Sequence, residues 1–193
     1  MSVPEECDAL ARRLSELGVK VWSWGWMAGP DRIAERTKHG IGDERVYSIG
    51  LVIEIAGDVA ASAVELMRSG HTYTAQALTR NLIECEYLIA QFAQDPEVAR
   101  EWLNADEKML RTYWSPQRLR DRMPGLFRNT EYWSHSETSH PTPAALRFLA
   151  SHKTAVPADI WWNELALHLR RLSERCDEAI DAVGVGPAIR QTR

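Results

Sequence analysis

Between residues 132 and 141 the sequence reads Tyr132-Trp133-Ser134-His135-Ser136-Glu137-Thr138-Ser139-His140-Pro141. Two histidines, three serines and a threonine within ten residues place bases and hydroxyls side by side. A histidine near its ordinary pKa exchanges a proton at neutral pH, so the chemistry on offer is general acid–base catalysis. The same composition also suits a turn-rich loop whose Ser and Thr side chains bond their own backbone. Metal chemistry fits less well. Glu137 and His140 have the Glu-x-x-His spacing of di-metal bundles, but such sites repeat the motif on two helices and add further inward glutamates. His135 and His140 stand five apart, not the four that puts two zinc ligands on one helical face. Glu164 and His168 are four apart but have no partner set. Neither a metal nor a cofactor is expected.

Two further polar groups carry charge rather than proton chemistry. Residues 108 to 128 hold Lys108, Arg111, Arg118, Arg120, Arg122 and Arg128 against one acid, Asp121, a local net of +5 in a chain of net −4. Such a segment attracts a phosphate backbone, and RNA is the partner it suggests; a solvated basic face is the alternative. Arg80 and Glu84 are four apart and can touch on one helical face. If that face turns inward, the guanidinium needs carboxylates around it, and Glu54 and Asp58 are the nearest candidates across a helical hairpin. A solvated ion pair is again the alternative. Trp22, Trp24 and Trp26 alternate near the end of the first helix, where they could form a docking surface for a protein partner.

The elements that must position these groups are helices. Leu10, Leu14, Leu17 and Val21 mark a first helix over about 4–27, followed by a loop rich in Gly and Pro that Gly25, Gly29 and Pro30 introduce. Val46, Ile49, Ile53, Ala56, Ala60, Ala63 and Met67 alternate spacings of 3 and 4, a seam of bundle type that Gly70 ends. Ala75, Leu78, Leu82, Cys85, Ile89 and Phe92 repeat the pattern and stop at Asp95-Pro96, where a fourth helix starts and runs to about Trp114. Residues 115–156 are irregular and polar, with short helices possible at 116–122 and 143–150. Trp162, Leu165, Leu169, Leu172, Cys176, Ala179 and Val183 then define a last helix over about 157–184. No alternating apolar run marks a strand. The expectation is one all-α domain, an antiparallel bundle of about five long helices with an irregular segment before the last.

Composition agrees, with 45% hydrophobic and 26% charged residues, the balance of a globular domain. Cys7, Cys85 and Cys176 are scattered and form no Cys-x-x-Cys pair, so reduced core thiols in a cytoplasmic protein are expected. The acidic first residues show no signal peptide, and no apolar run is long enough to span a membrane.

The stretch from Glu65 to Glu84 resembles the central hairpin of a family of uncharacterised all-helical bacterial proteins. The shared features are Gly70 at the turn, Ala75 and Ala77, Arg80 with Glu84, Asp95-Pro96-Glu97, and a later Ser136-x-x-x-His140-Pro141. That family is distantly similar to HEPN domains, helical bundles many of which are metal-independent ribonucleases acting as dimers. The HEPN motif, Arg followed by four to six residues and His, is matched by Arg128 to His135, with Asn129 directly after the arginine. The resemblance implies that His135 acts as general base on a ribose 2′-hydroxyl, that Arg128 steadies the scissile phosphate, and that the chain forms a homo-oligomer. It also implies a toxin or phage-defence setting. The competing expectation is a non-catalytic protein-interaction module, with Arg80 and Glu84 as structural glue and the tryptophan segment as its contact surface.

Overall fold

In the computed structural model the described residues are 1–27, 40–124, 143, 146, 147, 150 and 158–191. Helix α1 spans Val3–Met27, α2 Glu44–Arg68, α3 Thr72–Gln94, α4 Pro96–Leu103, α5 Glu107–Thr112, α6 Pro116–Arg122, α7 Ala158–Ala182 and α8 Gly186–Gln191. No strand occurs among the described residues, and none of their helices is long and apolar enough to cross a membrane. The fold is an all-α bundle in which α1, α2, α3 and α7 are the long members.

The helix ends follow local chemistry. At α1 the Ser2 amide donates to the Glu5 carboxylate at 2.7 Å, one half of a capping box. Asp43 caps α2 by accepting from the amides of Arg45 and Val46. At the other end Gly70 sits at φ +77°, its amide bonds the Met67 carbonyl, and the His71 amide bonds that of Leu66. This pair of bonds closes α2 and turns the chain at once into α3.

The seam residues of α2 are all buried, and those of α3 and α7 are buried except Leu78 and Val183, which pack on the core from its edge. Helix α1 differs from expectation. Its buried stripe is Cys7, Ala11, Leu14, Gly18, Val21 and Gly25, while Leu10 and Leu17 flank it. Gly25 does not break the helix; it belongs to a contact with α2. Gly25 faces Tyr47, Trp22 faces Gly50, Gly18 faces Glu54 and Ser15 faces Gly57, an antiparallel pairing in constant register. A methyl group added at Gly50 would stand 2.6 Å from the Trp22 Cα, so the two backbones touch where side chains normally intervene.

On its other side α1 runs parallel to α7. Arg170 grips the Glu6 carboxylate with Nε and Nη2, each at 2.6 Å, and Arg13 Nη2 reaches Asp177 at 2.6 Å. Because α2 opposes both α1 and α3, helices α1, α3 and α7 all point one way. The chain between α3 and α7 therefore returns the length of a long helix, roughly 35 Å at 1.5 Å per residue.

The expected fourth helix is divided. Asp106 accepts from the Met109 amide at 2.7 Å and starts α5 afresh after Asn104 and Ala105. Helix α4 lies across the start of α2, where Arg45 meets Glu97 at 3.2 Å and Asn104 donates to Glu44 at 3.0 Å. Helix α6 packs along the outer side of α3: Trp114, Leu119 and Met123 bury against Ile83, Tyr87 and Ala90 in a second, smaller core.

Candidate functional site

Docking α6 on α3 leaves a groove between α5 and α6. One part, of about 460 Å³, is lined by Thr112, Tyr113, Arg118, Asp121 and Arg122. A neighbouring depression of about 280 Å³ shares Thr112 with it and is lined by Glu107, Lys108 and Arg111. Of the four arginines singled out for RNA, Arg118 and Arg122 thus come together and Arg111 lines the neighbouring depression, while Arg120 is half-buried on α6 outside both linings.

The three differ in how they are held. Arg111 and Arg118 are exposed and pair along their own helices, Arg111 with Glu107 and Arg118 with Asp121 at 3.7 Å. Arg122 is half-buried. Its Nε donates to the Gln91 side-chain oxygen at 3.0 Å and its Nη1 to the Tyr113 carbonyl at 2.7 Å. Its guanidinium carbon lies 4.0 Å from the centre of the Tyr113 ring and 4.9 Å from that of Trp114. Such stacking suits the flat, weakly hydrated guanidinium. Tyr113 keeps much of its surface in solvent, while Trp114 meets it edge-on at 5.0 Å from below. The local charge is more modest than the segment suggested, because Glu107 lines the same depression as Lys108 and Arg111. Tyr113, Thr112 and Gln91 are site members that sequence reasoning missed. The usable signal was an aromatic pair, Tyr113-Trp114, inside the basic segment.

Arg80 and Glu84 do pair, Nε to Oε1 at 3.1 Å, with 22% and 27% of their side chains exposed. The wider network does not form as expected. Asp58 is exposed, and the Glu54 backbone lies against Gly18. The reason is the glycine seam, which turns the Gly50, Glu54 and Gly57 stripe of α2 toward α1 instead of α3. Arg128, His135 and His140 lie outside the described residues.

The tryptophan segment is mostly absorbed by the bundle. Trp24 packs at the edge of the main core, and Trp22 meets Tyr47 edge-on with ring centres 6.2 Å apart. Trp26, 49% exposed, and Met27, 70% exposed, remain outside. The three thiols are free and buried; burial pushes Cys7 up to about 11, Cys85 up to about 12 and Cys176 well above its ordinary value. They pack in the core, where burial disfavours the thiolate. His168 is buried in α7, and among the described residues no group of three His, Cys, Asp or Glu could hold a metal ion.

Compared with models of protein families, with curated proteins and with solved structures, the chain matches none.

Proposed function

We propose that this chain binds single-stranded RNA through the α5–α6 groove. The observation that carries the reading is Tyr113, an exposed ring in a groove lined by Arg118 and Arg122, next to a depression lined by Lys108 and Arg111. Single strands are held by such a pairing, arginine and lysine tracking the phosphates while a base stacks on an aromatic face, without need of sequence-specific contacts. The overall charge of −4 does not oppose it, since screening confines each charge to about 8–10 Å in physiological salt. The interaction-module reading has lost two of its three tryptophans to the bundle.

The catalytic form of this reading rests on the HEPN resemblance alone. In it His135 takes the proton of a ribose 2′-hydroxyl, whose oxygen attacks the adjacent phosphate and expels the 5′-oxygen of the next nucleotide, the proton passing to that oxygen; Arg128 steadies charge on the phosphate, no metal takes part, and His140 is a further candidate without an assigned step. Binding and cleavage are separable. Anisotropy of a short labelled RNA should show binding that weakens with salt. Arg111→Ala combined with Arg118→Ala should flatten that salt dependence by about 1.4 in log–log slope, about 0.7 for each lost phosphate contact. No binding by wild type at micromolar protein and low salt would overturn the reading.

A further inference from the structure

Arg122 is bonded to neutral groups only, the Gln91 side-chain oxygen and the Tyr113 carbonyl, and is stacked on two uncharged rings. Around it three buried N–H groups have no hydrogen-bond acceptor: Nη2 of Arg122 itself, Nε2 of Gln91 and Nε1 of Trp114. Gln91 and Trp114 are only 6% and 5% exposed. As a clamp holding α6 to α3 the arginine needs two of its five donors, and the clamp explains neither the orphaned amide nor the orphaned indole. A half-buried cation with neutral neighbours, beside donors that lack acceptors, is the electrostatic complement of an oxyanion. Of the three residues, Arg122 lines the groove, and Gln91 and Trp114 are buried next to it and are not among its described lining.

We propose that this end of the groove is a subsite for a phosphomonoester, the terminal phosphate of a nucleotide whose base stacks on the outer face of Tyr113. The inference rests on the RNA-binding reading and names the part of the strand that enters. A terminal phosphate has three unsubstituted oxygens and a single tether, so it can turn inward to recessed donors. A phosphodiester has two such oxygens and chain on both sides. The part of the groove beside Arg122, about 460 Å³, is open to solvent and has room for a nucleotide end. Since only neutral groups hold Arg122, no ion pair has to break for its guanidinium to swing toward the phosphate. Asp121 shares the groove, where it is paired with Arg118, and opposes the incoming dianion.

The full chain would be titrated with adenosine 5′-monophosphate against adenosine. A second titration would use one RNA sequence carrying a phosphate at its 5′ end, at its 3′ end or at neither. The phosphate should tighten binding about tenfold or more in both series, the gain expected of charge-assisted hydrogen bonds. Arg122→Lys keeps the charge and loses the fork, and should erase most of that ratio in protein whose circular dichroism is unchanged. Asp121→Asn, an exposed position where folding is not at stake, should tighten the monophosphate several-fold and leave adenosine unaffected. RNA bound equally with and without its end phosphate would overturn the subsite and leave RNA binding standing. Monophosphate binding with no RNA binding would do the reverse, supporting the subsite and removing the RNA reading. A phosphate preference that neither variant alters would overturn the assignment to Arg122.

Discussion

With about a quarter of each side chain in solvent, the Arg80–Glu84 pair lies between a surface ion pair and a buried one. Its coupling should be modest. A double-mutant cycle with Arg80→Ala and Glu84→Ala is expected to give about 1 kcal/mol, near the upper end for exposed pairs. A coupling above about 3 kcal/mol, the scale of a broken buried pair, would contradict this placement. The pair was legible because four-residue spacing on a helix is local geometry. Glu54 and Asp58 were not legible as non-partners, because the rotation of α2 about its own axis depends on what packs behind it. A second residue-scale case is Asp43. Burial pushes its carboxyl up, but the Arg45 side chain and the amides of Val46 and Arg45 outweigh that and hold it below its ordinary 3.8. A carboxyl lowered in the folded state adds stability that is complete above the unfolded value and drains away as pH falls through the folded one. Asn still caps a helix, so Asp43→Asn removes the charge and keeps the cap. Urea unfolding should show wild type ahead by about 1 kcal/mol at neutral pH, discounted for partial exposure of Arg45. That lead should shrink below about pH 4. A lead unchanged down to about pH 2 would show that Asp43 does not act through its charge.

Among elements, the α1–α2 contact makes the firmest claim. Alanine in place of an exposed mid-helix glycine normally helps by about 1 kcal/mol. At Gly50 or Gly57 the added methyl would meet the backbone of Trp22 or Ser15, so the sign should invert. Either substitution is expected to cost about 1–3 kcal/mol in denaturant unfolding, as overpacked cores do. At Gly70, where nothing lies within reach, the cost should come only from φ +77°, about 1–2 kcal/mol. A stabilising Gly50→Ala would mean that the two helices do not approach this closely. The seams of α2, α3 and α7 were readable because their apolar side chains repeat every three or four residues. The α1 side of the close contact was not, because Gly25 reads as a breaker. Its trace in the sequence is the recurrence of glycine at seven residues, Gly18 to Gly25 and Gly50 to Gly57. The break between α4 and α5 was equally visible in retrospect: Asp106 is a capping residue followed by Glu107, which suits a first turn, but the apolar spacing of Trp102, Ala105 and Met109 ran straight through it.

At the scale of the whole molecule, binding and catalysis make different demands. The α5–α6 groove belongs to one chain, so binding there should be independent of assembly. The cleavage implied by the HEPN resemblance would need two chains around one site, because in such dimers a single copy supplies only part of the machinery. The two demands give one decisive titration. Single-stranded RNA would be incubated in EDTA across a range of protein concentrations, with molar mass followed by light scattering at each. Cleavage by Arg128 and His135 should leave a cyclic phosphate, since the attacking group is the neighbouring 2′-hydroxyl, and His135→Ala should abolish it with the circular dichroism unchanged. The rate per chain should climb with concentration and level off where the mass reaches that of a dimer, because mass action governs the population of complete sites. A rate per chain that stays constant while the mass stays that of a monomer would leave cleavage without its second copy. Cutting that appears only with added divalent metal would discard the His135 mechanism and return attention to Glu137 and His140.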